Sequence, residues 1–224
     1  LIDKNILKLK KRCDFIIVFS HAGLEHYYIP QKEWRDRYRH FCDLGADVVV
    51  GSHPHVPQGY EIYFNSLIFY SLGNFYFDSP KYKDKEDRSF SIMLHLEKGR
   101  MPTFECIFHY KNNGRVGIAS LDKRVNLDNL CNMLIDEVEY EKAHDRMSIE
   151  AYESIILPKL IFSIMPIPYN GNFKSTLRHL CSLLLGRARR TDKTLLQLHL
   201  LRNEAYYYAA KHALEVKARE KYEL

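Results

Sequence analysis

Residues 45–55 read GADVVVGSHPH and join a strand signal directly to a pair of histidines. The apolar run Ala46–Val50 is typical of a strand that is buried on both faces of an α/β sheet. A glycine and a proline then let the backbone bend sharply, so that His53 and His55 can point toward a shared centre. Histidine is a common ligand of zinc, manganese and iron. By itself, such a pair also fits ordinary loop histidines.

The residues upstream complete a βαβ unit. Asp14–Phe19 is a second apolar run with the character of a strand buried on both faces. Gln31–Leu44 has the spacing of a helix, and Gly45 stands where a helix-terminating glycine belongs. The apolar face of this helix contains Trp34, Tyr38, Phe41 and Cys42. A strand, a helix and a strand within about forty residues predict two parallel strands joined by a right-handed crossover.

Polar side chains follow each predicted strand. His21 and Glu25 come directly after the first strand. Because parallel strands end at the same edge of a sheet, we expect His21 to lie near His53 and His55. Three imidazoles and one carboxylate at one edge indicate a metal site. Asn74 follows the next short strand, where it either contacts a substrate oxygen or a developing charge, or simply forms a turn.

The rest of the chain divides into a β-rich part and a helical part. Short strands are predicted at Tyr60–Phe64 and Leu67–Tyr70, with a turn at Asn65-Ser66, and at Ser89–Leu96 and Thr103–Tyr110. The charged run Ser79–Arg88 predicts a solvent-exposed loop. From about Val125 onward the apolar period changes from two residues to 3.6. This change predicts helices at Leu127–Ala143, from Ser148, at Thr176–Leu185 and at Thr194–Lys217.

The composition is that of a soluble globular protein of one or two domains, with 224 residues, 46% hydrophobic and 27% charged. The net charge of +5 is weak evidence for an anionic partner and fits a solvated basic surface better. Five scattered cysteines without a CxxC pair argue against a zinc ribbon and a disulfide framework. Leu1–Lys11 resembles the end of a helix rather than a signal peptide. The longest apolar stretch, Ile155–Pro168, is interrupted and too short to span a bilayer.

Three blocks of the sequence, in this order, resemble those of the CapA family, also called the poly-γ-glutamate capsule synthesis family. SHAGLEH, residues 20–26, resembles the family's H-W-G-x-E-Y block. GADVVVGSHPHVPQGYEIY, residues 45–63, resembles G-A-D-x-V-x-G-x-H-P-H-x-x-Q, and FYSLGNFYFD, residues 69–78, resembles Y-S-L-G-N-F-x-F-D. The resemblance covers about Cys13–Asp78, with Ser89–Tyr110 as closing strands.

The resemblance implies an α/β fold. Residues 1–122 would form the C-terminal half of a calcineurin-like metallophosphatase αββα sandwich, and residues 123–224 an all-helical extension. Such sandwiches carry a two-metal site at the strand ends. The resemblance further implies metal-ligand roles for His21, His53 and His55, and catalytic roles lining the site for Glu25 and Asn74. The implied cofactors are divalent metal ions (manganese, iron or zinc), with two in the full-length parent protein.

Two departures from the family pattern bear on these expectations. Ala22 stands where the family often has tryptophan, which opens the pocket wall. The family's early motifs, an aspartate near the domain start, a Gly-Asp block and an Asn block, do not occur in the chain, so they are expected upstream of Leu1. A two-metal site normally needs a bridging carboxylate from that half. We therefore expect this chain alone to bind at most one metal weakly and to be catalytically inactive.

Two functions follow as alternatives. The parent protein is either a metal-dependent phosphoesterase-type hydrolase of capsule or polyglutamate biosynthesis, or a non-catalytic polyanion-binding component of a capsule polymer synthesis and export machine. The expected partner is an anionic polymer or a phosphoester substrate. Nucleic acid is not expected, because the basic tail lacks interleaved aromatic residues. Members of the family are often associated with the cell envelope.

Overall fold

The computed structural model describes residues 1–77, 87–164 and 193–222, together with Leu177, Cys181, Leu184 and Leu185. These residues form a mixed α/β structure with two compact units, Leu1–His144 and Asp145–Leu224. The domain division implied by the resemblance, 1–122 and 123–224, stays a prediction. Among the described helices, none combines the length and the apolar character that crossing a lipid bilayer requires.

A four-stranded sheet forms the centre of the first unit. It contains β1 (Ile17–His21), β2 (Val48–Ser52), β3 (Tyr60–Tyr63) and β4 (Ser66–Phe69) in the order β1-β2-β4-β3. β1, β2 and β4 run parallel, whereas β3 pairs antiparallel with β4. The helix α2 (Lys32–Asp43) joins β1 to β2, which confirms the predicted βαβ unit.

The end of α2 is set by a glycine, as its sequence predicts. Gly45 adopts φ +112°, a conformation in which a residue with a Cβ atom is strained. The amide of Ala46 donates to the carbonyl of Phe41 at 3.0 Å, and the amide of Gly45 donates to the carbonyl of Cys42 at 2.9 Å. This pair of hydrogen bonds is a Schellman motif and turns the chain into β2.

A second sheet, antiparallel throughout, consists of β5 (Asp87–His95), β6 (Thr103–Asn112) and β7 (Arg115–Ile118). The two predicted strands of this region are confirmed, and β7 adds a third. The turn between β6 and β7 contains Asn113 and Gly114 at φ +48° and +71°. An Asn-Gly pair at positive φ is the preferred two-residue hairpin turn.

Both faces of the first sheet are covered, which explains why its central strands are apolar throughout. On one face, Val49 and Ile68 pack against side chains of α1 (Ile2–Leu9) and α2. On the other face, Phe69 packs against the second sheet, where the ring of Phe104 meets it edge-on at 4.9 Å between centroids. The first unit is thus layered as helices, mixed sheet and antiparallel sheet.

Three strand predictions are corrected by the structure. Phe19 in β1 is 79% exposed, so the prediction of a strand buried on both faces is wrong, because β1 lies at the edge of the described sheet. The first hairpin turns at Phe64-Asn65, since Ser66 already pairs with Tyr63. Asp87 and Arg88 begin β5, and the remaining residues of the predicted loop, 79–86, lie outside the described residues.

The helix predicted at Leu127–Ala143 is two helices. α3 (Leu127–Ile135) ends at Asp136, and α4 (Glu137–Ala151) follows at once. The carboxylate of Asp136 accepts hydrogen bonds from the amides of Val138 and Glu139, each at 3.0 Å, and so caps the start of α4. The predicted helix start at Ser148 is wrong, because Ser148 is a buried residue inside α4.

The described part of the second unit is helical, as predicted. A π-helical turn (Tyr152–Ile156) leads into α5 (Leu157–Ile164), and α6 (Thr194–Arg202) and α7 (Glu204–Tyr222) follow. The predicted helix Thr194–Lys217 is therefore interrupted at Asn203, whose side chain accepts from the amide of Tyr206 at 3.0 Å. Most of the predicted helix Thr176–Leu185 lies outside the described residues.

Candidate metal centre

The polar side chains predicted from the sequence follow the carboxyl ends of the three parallel strands. His21 is the last residue of β1 and lies opposite Ser52, the last residue of β2. His53 and His55 follow β2 directly, and Asn74 lies five residues after β4. Since the three strands run in the same direction, these side chains share one edge of the first sheet.

The loop backbone beyond this edge is held in unusual conformations. His26, His53 and His55 adopt φ of +70°, +102° and +63°, a region that residues with a Cβ atom rarely occupy. Gly23, at φ +118°, lies so close to Pro54 that an added Cβ would meet its ring at 3.2 Å. The amide of His26 donates to the carbonyl of Pro54 at 2.7 Å. Such strain is typical of functional sites that the surrounding fold holds in place.

Three imidazoles and a carboxylate meet in this region. The ring centroids of His21 and His53 are 4.9 Å apart, and those of His53 and His55 are 5.8 Å apart. Glu25 Oε1 lies 3.9 Å from His53 Nε2. One ligand atom each from Glu25, His53 and His55 can be chosen so that all three lie within 4.8 Å of one another. His26 flanks this group, with its ring 6.0 Å from that of His55.

The hydrogen bonds of Asn74 determine which nitrogen of His55 carries the proton. The Asn74 amide nitrogen donates to the carbonyl of His55 and to Asp87 Oδ2, each at 3.0 Å. Its oxygen therefore faces His55 Nδ1, at 2.9 Å, and accepts the proton on that nitrogen. His55 Nε2 is left with its lone pair free, as a metal ligand requires.

Ser52 has the same effect on His21. The Ser52 hydroxyl donates to the carbonyl of Ser20 at 3.2 Å, so its oxygen accepts from His21 Nδ1 at 2.9 Å. His21 Nε2 then carries the free lone pair. Two of the predicted metal-ligand histidines are thus held in the tautomer that offers Nε2 to a cation.

Burial shifts the pKa of two groups at this edge. Loss of solvation lowers the pKa of His53 below its ordinary value of 6.5, and the neighbouring histidines add to this effect while Glu25 opposes it. Burial also raises the pKa of Asp87, against the hydrogen bond from Asn74 and the charge of Lys111. His53 is therefore neutral at physiological pH.

The donor set of Glu25, His53 and His55 fits one divalent cation. Two imidazoles and a carboxylate form a ligand set used for zinc, manganese and iron. Ligands at about 2.1 Å from a tetrahedral metal lie about 3.4 Å apart. The 3.9 Å between Glu25 Oε1 and His53 Nε2 is about 0.5 Å longer than this separation, and the Glu25 side chain is half-exposed. The metal-ligand roles of these residues and of His21 stay predictions.

Sequence reasoning missed several residues of the site. Asp87 lies in a charged run that predicted only an exposed loop, and Ser52 lacks any sequence signal for its contact with His21. Gln58, which had no predicted role, is 2% exposed and donates to the loop carbonyls of Tyr27 and Ile29 at 2.8 and 3.0 Å. Gln58 thereby fixes the loop that carries Glu25.

A cleft of about 680 Å³ lies next to this edge. It shares Asp87 with the candidate centre, and its wall begins at Val56, the residue after His55. The further lining includes two arginines, two amides and three apolar residues: Arg88, Arg124, Asn126, Asn129, Val125, Leu130 and Met133. The two arginines outnumber the one lining carboxylate, Asp87, so the lining is cationic on balance and suits an anionic ligand with apolar parts.

The segment that carries the site is similar to known proteins. Residues 1–79, which include all five predicted site residues, match the family model of the bacterial capsule synthesis protein PGA_cap. The PGA biosynthesis protein CapA of Bacillus subtilis (strain 168) is 40% identical over 100 residues, which are 45% of this chain and 26% of the relative. The capsule biosynthesis protein CapA of Bacillus anthracis is 38% identical over 87 residues, which are 39% of this chain and 21% of the relative. The chain thus spans about a quarter of the length of these curated relatives or less.

Proposed function

We propose that the chain, whose residues 1–79 match the bacterial capsule synthesis family model, forms the histidine-rich part of a divalent-metal centre in a CapA-family hydrolase of capsule polymer biosynthesis. The observation that carries this proposal is the meeting of Glu25, His53 and His55 within 4.8 Å at one sheet edge. The packing of a mixed sheet on an antiparallel sheet supports a calcineurin-like sandwich as the scaffold.

Each residue of the site has a definite part in this proposal. His53 and His55 would supply imidazole nitrogens, and Glu25 a carboxylate oxygen that offsets part of a cation's charge. His21 lies beside His53 with its Nε2 free, so it would be available to hold a second cation in a longer protein. A bound divalent cation would supply Lewis-acid activation of a phosphoester and of water.

The cleft beside the centre indicates the substrate class. Arg88 and Arg124 line it, and Val125, Leu130 and Met133 provide apolar surface. An anionic polymer or a phosphoester with an aliphatic part is complementary to this lining. A ligand bound there would lie near the candidate centre, because the cleft is lined by Asp87 and by Val56, the residue after His55.

Metal titration of the purified chain tests the ligand set. We expect one Mn²⁺ or Zn²⁺ per chain by isothermal titration calorimetry in metal-free buffer, and at least about tenfold weaker binding for His55→Ala, because one of three ligands is lost. His95→Ala is the matched control, since His95 is an exposed histidine of β5 that pairs with Glu105. Equal affinities of wild type and His55→Ala would contradict the proposal.

Hydrolysis is tested separately from metal binding. A longer protein in which the family's Gly-Asp and Asn blocks precede these residues is expected to hydrolyse bis(p-nitrophenyl) phosphate with added Mn²⁺. The substitution His55→Ala in that protein is expected to abolish the turnover. The present chain alone is expected to bind metal without turnover, because the bridging carboxylate of a two-metal site is missing from the donor set of Glu25, His53 and His55. Metal-dependent turnover by this chain, lost in His55→Ala, would refute that account.

The cleft also supports a second function, a non-catalytic polyanion-binding component of a polymer synthesis machine. In that case glutamate oligomers bind with equal affinity with and without metal, and Arg124→Ala weakens their binding. Metal-dependent turnover of a phosphoester by the longer protein would exclude this alternative.

A further inference from the structure

The second sheet reaches the candidate metal centre through Asp87, the first residue of β5. Asp87 Oδ2 and the carbonyl of His55 both accept from the amide nitrogen of Asn74, each at 3.0 Å. If the Asn74 amide turned by 180°, its oxygen would face these two acceptors without a proton between them. The two acceptors therefore keep the Asn74 oxygen on His55 Nδ1.

The same hairpin also contacts Phe77, whose ring lies next to His55. Lys111 lies directly across from Asp87 in the β5–β6 register and is buried, with 3% of its surface exposed. Its ammonium donates to the carbonyl of Phe77 at 3.2 Å, and the ring of Phe77 lies 4.8 Å from the ring of His55. His55 thus has two neighbours that the hairpin holds: the Asn74 amide, which bonds Asp87, and the ring of Phe77, whose carbonyl bonds Lys111.

We propose that Asp87 is a positioning residue that fixes the tautomer of His55 through Asn74, with Lys111 holding the adjacent Phe77. A neutral imidazole in water exchanges its proton between the two nitrogens, and only the form with a proton on Nδ1 presents Nε2 to a cation. The apparent affinity for a metal falls in proportion to the fraction in the competent form. The purpose of this positioning rests on the proposed function, whereas the tautomer itself is a property of the metal-free chain.

The tautomer is measured directly by NMR. Long-range ¹H–¹⁵N spectra of ¹⁵N-histidine-labelled, metal-free chain at pH 8 distinguish a protonated from an unprotonated ring nitrogen. In the wild type we expect His55 to be protonated on Nδ1. In Asp87→Ala and Asn74→Ala we expect the proton to move toward Nε2. Glu105→Ala is the matched control, because it removes an exposed carboxylate of the same hairpin that pairs with His95.

Affinity for Zn²⁺ provides the second readout. We expect Asp87→Ala to weaken Zn²⁺ binding about tenfold, within the range known for residues that orient a metal-binding histidine. The double variant Asp87→Ala/Asn74→Ala should bind no more weakly than Asn74→Ala alone, because Asp87 acts through Asn74. Glu105→Ala should bind as the wild type does.

The variant Asp87→Asn controls for loosening of the hairpin in Asp87→Ala. Its amide matches the carboxylate in shape but donates as well as accepts, so the Asn74 amide is free to turn, and we expect a smaller tautomer change in the same direction. A His55 proton that stays on Nδ1 in folded Asp87→Ala and Asp87→Asn would overturn the positioning role. A tautomer change in a chain that binds no Zn²⁺ would support the positioning role and refute the proposed metal centre.

Discussion

Gly51 lies so close to the backbone of Tyr70 that the cost of replacing it by alanine follows directly from the distances. It is the fourth residue of β2, two positions before His53. A Cβ atom at this position would lie 2.1 Å from the carbonyl oxygen of Tyr70 and 2.9 Å from its carbonyl carbon. Since real Cβ atoms keep at least 3.0 Å from other heavy atoms, the backbone after β4 must move by about 0.9 Å.

Tyr70 is poorly able to move. Its side chain is 1% exposed, its hydroxyl donates to Glu61 at 2.8 Å, and its ring stacks on Tyr38 at 5.8 Å. Overpacking of a core costs about 1–3 kcal/mol, and a clash with backbone belongs at the upper end of that range. For Gly51→Ala we therefore expect about 3 kcal/mol less stability, which corresponds to a melting temperature about 6–12 °C lower.

Urea and thermal unfolding followed by circular dichroism measure this loss. The control is Gly117→Ala in β7, an exposed strand glycine around which an added Cβ meets nothing within 4 Å. The control is expected to change stability by less than about 1 kcal/mol, in the stabilising direction, because alanine restricts the unfolded chain. If Gly51→Ala were as stable as Gly117→Ala, the close approach of β2 and the backbone after β4 would be refuted.

Three further substitutions test polar side chains of the first unit. Gln58→Leu leaves two loop carbonyls without a donor and should lower the free energy of unfolding in urea by at least about 2 kcal/mol. Gln58→Glu keeps the shape of the side chain but replaces its amide donor, so it tests whether shape alone preserves stability. Arg35→Met removes a 4%-exposed guanidinium that pairs with Glu61, and it should lower the free energy of unfolding by about 3–5 kcal/mol. The control, Arg100→Met, breaks an exposed ion pair and should lower it by less than about 1 kcal/mol. Equal losses would contradict the importance of burial. Burial lowers the pKa of His53 in the folded chain, so the unfolded chain binds more protons as the pH falls. The contribution of His53 to stability is therefore present above pH 6.5 and is lost as the pH falls through the folded-state pKa of His53. His53→Asn, which tolerates positive φ, should therefore lose less stability than the wild type between pH 7 and pH 5 in urea unfolding, and an unchanged pH dependence would show that His53 is not responsible.

Local sequence was sufficient where a structural element depends on neighbouring residues. The spacing of Trp34, Tyr38 and Phe41 predicted α2, and Gly45 predicted its end, because helix period and helix termination are set within a few residues. The apolar runs before His21 and His53 predicted parallel strands, which put both histidines at one edge. The turn into β7 is likewise a local property, because Asn113-Gly114 is the preferred pair for a two-residue hairpin.

Local sequence failed where burial or contact depends on distant residues. Periodicity extended one helix through Asp136, although an aspartate whose side chain accepts two amide protons starts a new helix there. Apolar composition predicted a buried Phe19, yet exposure depends on the position of β1 at the edge of the described sheet.

The sequence by itself determined which side chains form the candidate centre and the edge on which they lie, because each follows a strand directly and a strand–helix–strand order predicts parallel strands. The tertiary structure alone decided how that chemistry is oriented. Asp87 reaches Asn74 only because the second sheet packs on the first, and the β5–β6 register sets Lys111 opposite Asp87. Hydrogen bonds that select one tautomer of His55 act over about 3 Å, so they exist only once separate strands have been packed to that precision.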